Sequence, residues 1–194
     1  MHRNLLQIRT RLGWFGAYLS EAGVLAVTCP QPNAEEALAA LLGLLPSGVP
    51  LSTGPPPARL AATLRRNLVA YALGKAVFWP LPLDPRATSL FQRRVFQTLW
   101  RVPFATVVSY GGLAEACGMP NAARAVGQAV GTNRWAIVVP CHRVIAADGG
   151  LGGFGGGLRM KRMLLEHEGL DLAALRPARL PTKGGERGPR WSAG

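Results

Sequence analysis

The hydrophobic positions of this chain change period several times along its length. Residues 7–28 alternate short apolar runs with turn residues, and within them 13–20 and 23–28 read as paired strands about the turn Ser20-Glu21-Ala22-Gly23. Residues 34–45 are rich in Ala and Leu, with Glu35 and Glu36 in a first turn where they complement the helix dipole, so a helix is expected. A Pro/Gly/Ser loop follows over 46–57. Residues 58–73 set Leu60, Leu64, Leu68 and Tyr71 on one face and Arg65 and Arg66 on another, a second helix. The run Pro80-Leu81-Pro82-Leu83-Asp84-Pro85 reads as a linker, because proline disfavours helix and stiffens the chain.

Beyond that run, Ser89 is positioned to cap a helix with the apolar stripe Phe91, Val95, Leu99 and Val102, stopped by Pro103. Ser109 caps a short helix ending at Gly118, Pro120 opens another in its first turn, and the two form a helix-turn-helix pattern. The apolar run Ala136-Ile137-Val138-Val139 reads as a buried strand. Residues 158–168 form a last helix closed by Gly169, and past Leu175 the chain is rich in Pro, Gly and Arg without apolar periodicity. The expected organisation is a small α/β domain over 1–82, a mainly α domain with a helix-turn-helix over 83–175, and a flexible basic tail over 176–194.

Composition changes this picture in two ways. With 48% hydrophobic residues among 194 there is material for a packed core, which excludes wholesale disorder. Lys and Arg number 22 against 10 Asp and Glu, and the formal charge of +12 favours a polyanionic partner through non-specific attraction. Solubility, or a coding bias toward arginine, is the plainer account of the same excess. Cys29, Cys117 and Cys141 are odd in number and widely spaced, unlike a disulfide framework. No apolar stretch reaches the roughly 20 residues of a membrane span. The Met1-His2-Arg3-Asn4 start leads into an Arg-punctuated segment, unlike a secretory leader. A cytoplasmic protein with reduced thiols, working without a membrane, is expected.

Candidate chemistry concentrates at Pro140-Cys141-His142-Arg143-Val144. The thiolate is the reactive form of cysteine, and a neighbouring histidine is a base that could generate it. A lone buried cysteine is more often an inert small hydrophobe, the reading that suits Cys29 and Cys117. Adjacent residues of an extended segment point to opposite sides, so contact between Cys141 and His142 requires a turn or a bridging water. A third group should orient the base; Glu168, Glu166 and Asp148 are the available carboxylates, and spacing does not choose among them. In the helix expected after Pro120, Ala122, Val126 and Ala129 form one stripe and Arg124 points away from it, a long cation amid tiny side chains. A solvated arginine on an Ala-rich helix would look the same.

From about Leu83 to Leu170 the chain resembles the O6-alkylguanine-DNA alkyltransferase family. The matching blocks are Val107-Val108-Ser109-Tyr110-Gly111, the recognition-helix segment Asn121-Ala122-Ala123-Arg124-Ala125-Val126-Gly127, Thr132-Asn133, and Val139-Pro140-Cys141-His142-Arg143-Val144-Ile145. Two more follow, the glycine loop Gly152-Gly153-Phe154-Gly155-Gly156-Gly157 and Leu164-Leu165-Glu166-His167-Glu168-Gly169. The resemblance implies a ribonuclease-H-like α/β N-terminal domain and a mainly α, winged helix-turn-helix C-terminal domain. It makes Cys141 the nucleophile and alkyl acceptor, His142 the base acting through water, Glu168 the group that orients it, Asn133 a brace of the active-site turn, and Tyr110 a proton donor toward guanine.

By the same resemblance Arg124 fills the gap left by a swung-out base. Tyr110, Ala122, Ala123 and Gly127 meet DNA in the minor groove, and Tyr110, Pro140, Phe154, Gly155 and Gly156 line the substrate site. At Phe154 the family often has tyrosine, and at Gly155 some members have a small hydroxyl residue. Some members bind zinc in the N-terminal domain; here only His2 and Cys29 are available in that half, so no metal and no cofactor are expected.

The implied reaction is one irreversible transfer of an alkyl group from O6-alkylguanine in duplex DNA, and also from O4-alkylthymine, to a monomeric protein. Three other classes fit parts of the sequence. A lesion sensor that flips alkylated bases without repair would not need Cys141. A winged-helix regulator would prefer an undamaged sequence. A cysteine hydrolase would need an oxyanion hole and turnover, and the adjacent Cys-His order is unlike thiol proteases.

Overall fold

A computed structural model describes residues 4–48, 55–181 and 190–191. In chain order the elements are β1 (Leu5–Thr10), β2 (Gly13–Leu19), β3 (Val24–Val27), α1 (Ala34–Leu44), α2 (Ala58–Ala72), β4 (Pro82–Leu83), α3 (Leu90–Leu99), β5 (Val108–Ser109), α4 (Tyr110–Ala116), α5 (Ala123–Gly131), β6 (Val144–Ile145), α6 (Leu158–His167) and β7 (Arg190–Trp191). Single 3-10 turns lie at Cys141–Arg143 and Leu172–Ala174. No described helix is long and apolar enough to cross a membrane.

The described residues within 1–88, 134–138 and 189–194 form one compact unit, and those within 89–133 and 139–188 another. These limits differ from the expected 1–82, 83–175 and 176–194. The reason lies in β4 and β7. Pro80–Pro85 is not a linker: Leu81 and Leu83 are both buried with period two, Leu83 pairs in parallel with Val24, and Pro82–Leu83 pair with Arg190–Trp191. Asp84 then donates its N–H to Val24 and turns a buried carboxylate onto Ser20 and Arg86. Of the expected tail, residues 176–181 have neither helix nor strand, Arg190–Trp191 are a strand, and 182–189 and 192–194 lie outside the described residues. So do 49–54 of the expected 46–57 loop, and His2.

In the first unit, five strands lie in the order β1-β2-β3-β4-β7, with β1-β2-β3 antiparallel and the rest parallel. The β2–β3 pair matches the expected strands; β1 is an additional partner for β2. Asn33 caps α1 by accepting from the Glu36 N–H, and Tyr18, Leu25, Ala26 and Leu41 close a core against the sheet.

In the second unit, α3, α4 and α5 pack on one another, and Val107, Ile145, Leu165 and Leu175 form a core. Ser89 caps α3 with a full capping box through Gln92, and Ser109 caps α4 by accepting from the Gly112 N–H. Gly118 has φ +71 and turns the chain out of α4. Pro120 does not open α5. The helix starts three residues later, because Ala122 keeps a non-helical conformation and donates its N–H to Met119.

Candidate active site

The approach to Cys141 is not the expected strand. Residues 134–138 belong to the first unit, where Val27 pairs in an isolated bridge with Trp135 and the Trp135 indole N–H donates to the Val24 carbonyl. Val138 N–H bonds the Ala136 carbonyl at 2.8 Å across Ile137, whose φ is +69, a γ-turn in a region that β-branched residues rarely enter. Cys141 N–H bonds the Val139 carbonyl at 2.8 Å across Pro140, whose φ −82 and ψ 66 make an inverse γ-turn. An apolar run folded by γ-turns carries the same burial signal as a strand, which is why the pattern misleads.

Cys141 and His142 stand on the 3-10 turn that follows, both buried. Asn133, just past the end of α5, donates from Nδ2 to the Val139 carbonyl at 2.8 Å and to Cys141 Sγ at 3.0 Å. One side chain thus holds the turn and faces the sulfur with a donor. Burial pushes the Cys141 thiol up; Asn133, the Lys161 charge and the backbone N–H groups of Cys141 and His142 oppose it without cancelling it. The resting group is therefore a thiol.

His142 is the next residue on the same turn, and Glu168 holds its ring. Its Nε2 lies 2.7 Å from Glu168 Oε1, both side chains fully buried. Burial lowers the imidazole, and Glu168 only partly offsets this, so the ring is neutral at pH 7. Burial also raises Glu168, but the His142 and Arg143 donors outweigh it and hold the carboxyl at about 2. An ionised carboxylate only accepts, so Nε2 carries the proton and Nδ1 is the acceptor nitrogen of the neutral ring. The other two candidate carboxylates do not compete. Glu166 is exposed on α6, and the exposed Asp148 accepts from the Gly150 N–H in its own turn.

Two side chains that sequence reasoning missed complete the centre. Arg143 reaches Glu168 from Nε at 2.9 Å and Nη2 at 2.9 Å, donates to the Val102 carbonyl from Nη1 at 2.7 Å, and stands over the Phe104 ring. The Ala105 N–H adds a 3.0 Å bond to Glu168 Oε2. Arg143 lies inside the pentapeptide, but nothing in its spacing foretold its partner. Lys161 is fully buried on α6 and donates to the carbonyls of Val144, Leu151 and Gly153. A signal for it existed, since it falls in the apolar stripe of α6 with Leu164 and Leu165.

The remaining predicted residues are spread around this centre. Tyr110 begins α4, and its hydroxyl donates to the Gly153 carbonyl at 3.3 Å. Burial and the nearby Cys141 raise the phenol, so it stays protonated. Gly152, at φ +65, has its Cα against the Tyr110 ring: a Cβ there would lie 3.0 Å from Cε2. Phe154 is half-buried in the glycine loop; Gly155 and Gly156 are exposed. On α5, Arg124 and Ala125 are exposed, Ala122, Ala123 and Gly127 half-exposed, and Val126, Ala129 and Val130 buried. Among the described residues no group of three or more His, Cys, Asp or Glu could hold a metal ion.

The family model for the DNA-binding domain of 6-O-methylguanine DNA methyltransferase matches residues 90–170. A methylated-DNA–protein-cysteine methyltransferase of Mycobacterium tuberculosis is 50% identical over 102 residues, 53% of this chain and 61% of that protein. The chain thus spans about three-fifths of the length of this curated relative. The crystal structure of Mycobacterium tuberculosis OGT in complex with DNA superposes with a TM-score of 0.64 at 33% identity, covering 84% of this chain and 90% of that one. The O6-methylguanine-DNA methyltransferase of Pyrococcus kodakaraensis superposes with a TM-score of 0.61 at 28% identity, covering 86% and 98%.

Proposed function

The chain belongs to the 6-O-methylguanine DNA methyltransferase family, and on that footing we propose that it repairs DNA by moving an alkyl group from O6 of guanine to its own Cys141. The observation that carries this reading is the placement of buried Cys141 and His142 on one turn, with Asn133 donating to the sulfur and ionised Glu168 bonded to the neutral His142 ring. His142 Nδ1 takes the thiol proton through a water. The thiolate attacks the alkyl carbon; the C–S bond forms as the C–O bond breaks. The electrons of the C–O bond stay on guanine, which takes a proton from the Tyr110 hydroxyl. The product is a thioether, with no group in the site able to cleave it, so each molecule acts once and no cofactor takes part. O4-alkylthymine presents the same alkyl–oxygen chemistry and is a second substrate.

A base inside a duplex must be extruded first, at a cost of a few kcal/mol. In this reading α4, its turn and α5 act as the helix-turn-helix of a winged domain, with the short β5–β6 pair beside them. The small residues Ala122, Ala123 and Gly127 let α5 approach the minor groove, and the exposed Arg124 fills the gap in the stack. Pro140, Phe154, Gly155 and Gly156 border the flipped base. The first unit, with α1 and α2 packed on an antiparallel ribbon, is the ribonuclease-H-like N-terminal domain. The protein acts as a monomer in the cytoplasm.

The test is incubation with a duplex carrying O6-methylguanine, followed by intact-mass and peptide analysis. The expected result is a methylene-sized gain on the Cys141 peptide, limited to one per molecule and absent from Cys141→Ala. Unchanged mass with reduced, folded protein overturns the proposal.

A further inference from the structure

We propose that Lys161 is a positioning residue whose ammonium clasps the glycine loop to the segment following the nucleophile and, through Gly153, sets the Tyr110 hydroxyl. For its functional consequence this rests on the alkyl-transfer reading; the clasp itself does not.

Lysine is almost never fully buried unless paired, yet Lys161 is buried completely and makes no ion pair among the described residues. Its three N–H donors meet three backbone carbonyls instead. Val144 opens β6 directly after the turn bearing Cys141 and His142. Leu151 immediately precedes the glycine loop and Gly153 lies within it, in a stretch that is neither helix nor strand. Gly153 O is also the acceptor for the Tyr110 hydroxyl, so Lys161 and Tyr110 converge on one oxygen. The phenol that delivers a proton is therefore referenced to the nucleophile's segment through this lysine. An apolar side chain of the same length would take this donor from the Val144 and Leu151 carbonyls and leave Gly153 O to Tyr110 alone.

The match of donors to acceptors depends on charge. A neutral amine keeps two N–H bonds and turns a lone pair toward the third carbonyl. Burial lowers Lys161 to about 8, with Cys141 acting in the opposite direction. The titratable groups around it are Cys141 and His142 on the active-site turn and Tyr110 on α4, with the Glu168–Arg143 pair behind His142. Of the groups in this centre, only Lys161 is poised to change charge just above neutrality with its donors on the loop. The loop is thus tethered at neutral pH and loosened above pH 8.

The experiment measures amide protection factors, which remove the intrinsic pH dependence of exchange, for residues 150–157 of the full chain across neutral to alkaline pH. Protection in the wild type should fall about tenfold through pH 8, the loss of roughly one charge-assisted hydrogen bond. In Lys161→Met it should be low and flat with pH. In Lys161→Arg, whose guanidinium does not deprotonate, it should persist into the alkaline range. Transfer from the methylated duplex should slow at least about tenfold in Lys161→Met, by the misplacement of a proton donor. Alkylation of Cys141 by iodoacetamide, which uses neither loop nor Tyr110, should change far less.

Protection independent of pH in the wild type overturns the clasp. So does a Lys161→Met variant with wild-type protection, or one that loses iodoacetamide reactivity as much as transfer, which would assign the lysine to the sulfur. Should the Met variant fail to fold, the wild-type titration and Lys161→Arg decide the matter. A wild type that transfers no alkyl group refutes the alkyl-transfer reading while the protection data still judge the clasp.

Discussion

Replacing Glu168 with glutamine tests whether the carboxylate is the electrostatic centre of the site. The shape is kept, but the charge is lost and one acceptor oxygen becomes a donor. Glu168 receives His142 Nε2 at 2.7 Å, Arg143 Nε and Nη2 at 2.9 Å each, and Ala105 N at 3.0 Å. An amide keeps one acceptor oxygen but leaves the buried Arg143 guanidinium without an anion, beside the Val102 carbonyl and the Phe104 ring. Removing one partner of a buried pair costs about 3–5 kcal/mol. The lowering of the carboxyl by His142 and Arg143 has the sign this requires.

The pH dependence follows from the sign of that shift. A depressed carboxyl contributes stability that is fully present above its unfolded value, near 4.5, and is lost as pH falls through about 2. His142, lowered by burial, adds a loss of the same sign below its ordinary value of 6.5, and a larger one in the variant, which lacks the carboxylate that partly offsets the burial. Urea denaturation at pH 7 should therefore show Glu168→Gln about 3–5 kcal/mol less stable than the wild type. In the wild type Glu168 alone should cost about 1 kcal/mol of stability between pH 5 and pH 3.5, with the His142 loss added to it. Under conditions where the variant is folded by circular dichroism, transfer should slow about 100-fold or more, since the base loses its orienting partner. A variant within about 0.5 kcal/mol of the wild type at pH 7, or a wild type that loses no stability between pH 5 and pH 3.5, refutes the buried-pair account.

Two backbone positions give further expectations. Gly152→Ala places a Cβ 3.0 Å from Tyr110 Cε2 and 3.2 Å from its hydroxyl, at a φ of +65. It should cost about 1–2 kcal/mol in stability and slow transfer about tenfold; a transfer time course at wild-type rate would mean that the Tyr110 ring position is unimportant. Ala105, exposed at φ +55, supplies its N–H to Glu168 from a left-handed conformation. Ala105→Gly keeps that bond and should raise stability by about 0.5–1 kcal/mol, read as a higher urea midpoint; a lowered midpoint would show that the conformation carries no strain.

What was legible in the sequence was what a few neighbouring residues decide. Capping is local, and Ser89 and Ser109 each accept an N–H three residues ahead as expected. Helical stripes are local too: α1, α2 and α6 fall within a residue of the expected bounds, while α3 starts as expected after Ser89 but ends at Leu99, ahead of the expected stop at Pro103. Pro120 shows the limit, since its preference for a first turn is outweighed by a turn that runs on to Ala122. The run 136–139 and the supposed linker at 80–85 failed in opposite directions for one reason. Apolar composition reports burial, and burial does not distinguish a γ-turn with φ +69 at Ile137 from a strand, nor a two-residue strand at Pro82–Leu83 from a stiff connector.

The site divides along the same line. The adjacency of Cys141 and His142 is readable, but which carboxylate stands behind the base is decided by α6 returning Glu168 across 26 positions, and spacing left it open against Glu166 and Asp148. Arg143 and Lys161 were missed because their partners are backbone carbonyls and a carboxylate on distant elements: Val102 and Glu168 for one, Val144, Leu151 and Gly153 for the other. A backbone acceptor leaves no mark in the residue type that offers it. The informative sign is the converse, a charged residue in a position whose period demands an apolar one. Lys161, three and four residues ahead of Leu164 and Leu165, met that condition, and a buried cation so placed must find its acceptors nearby.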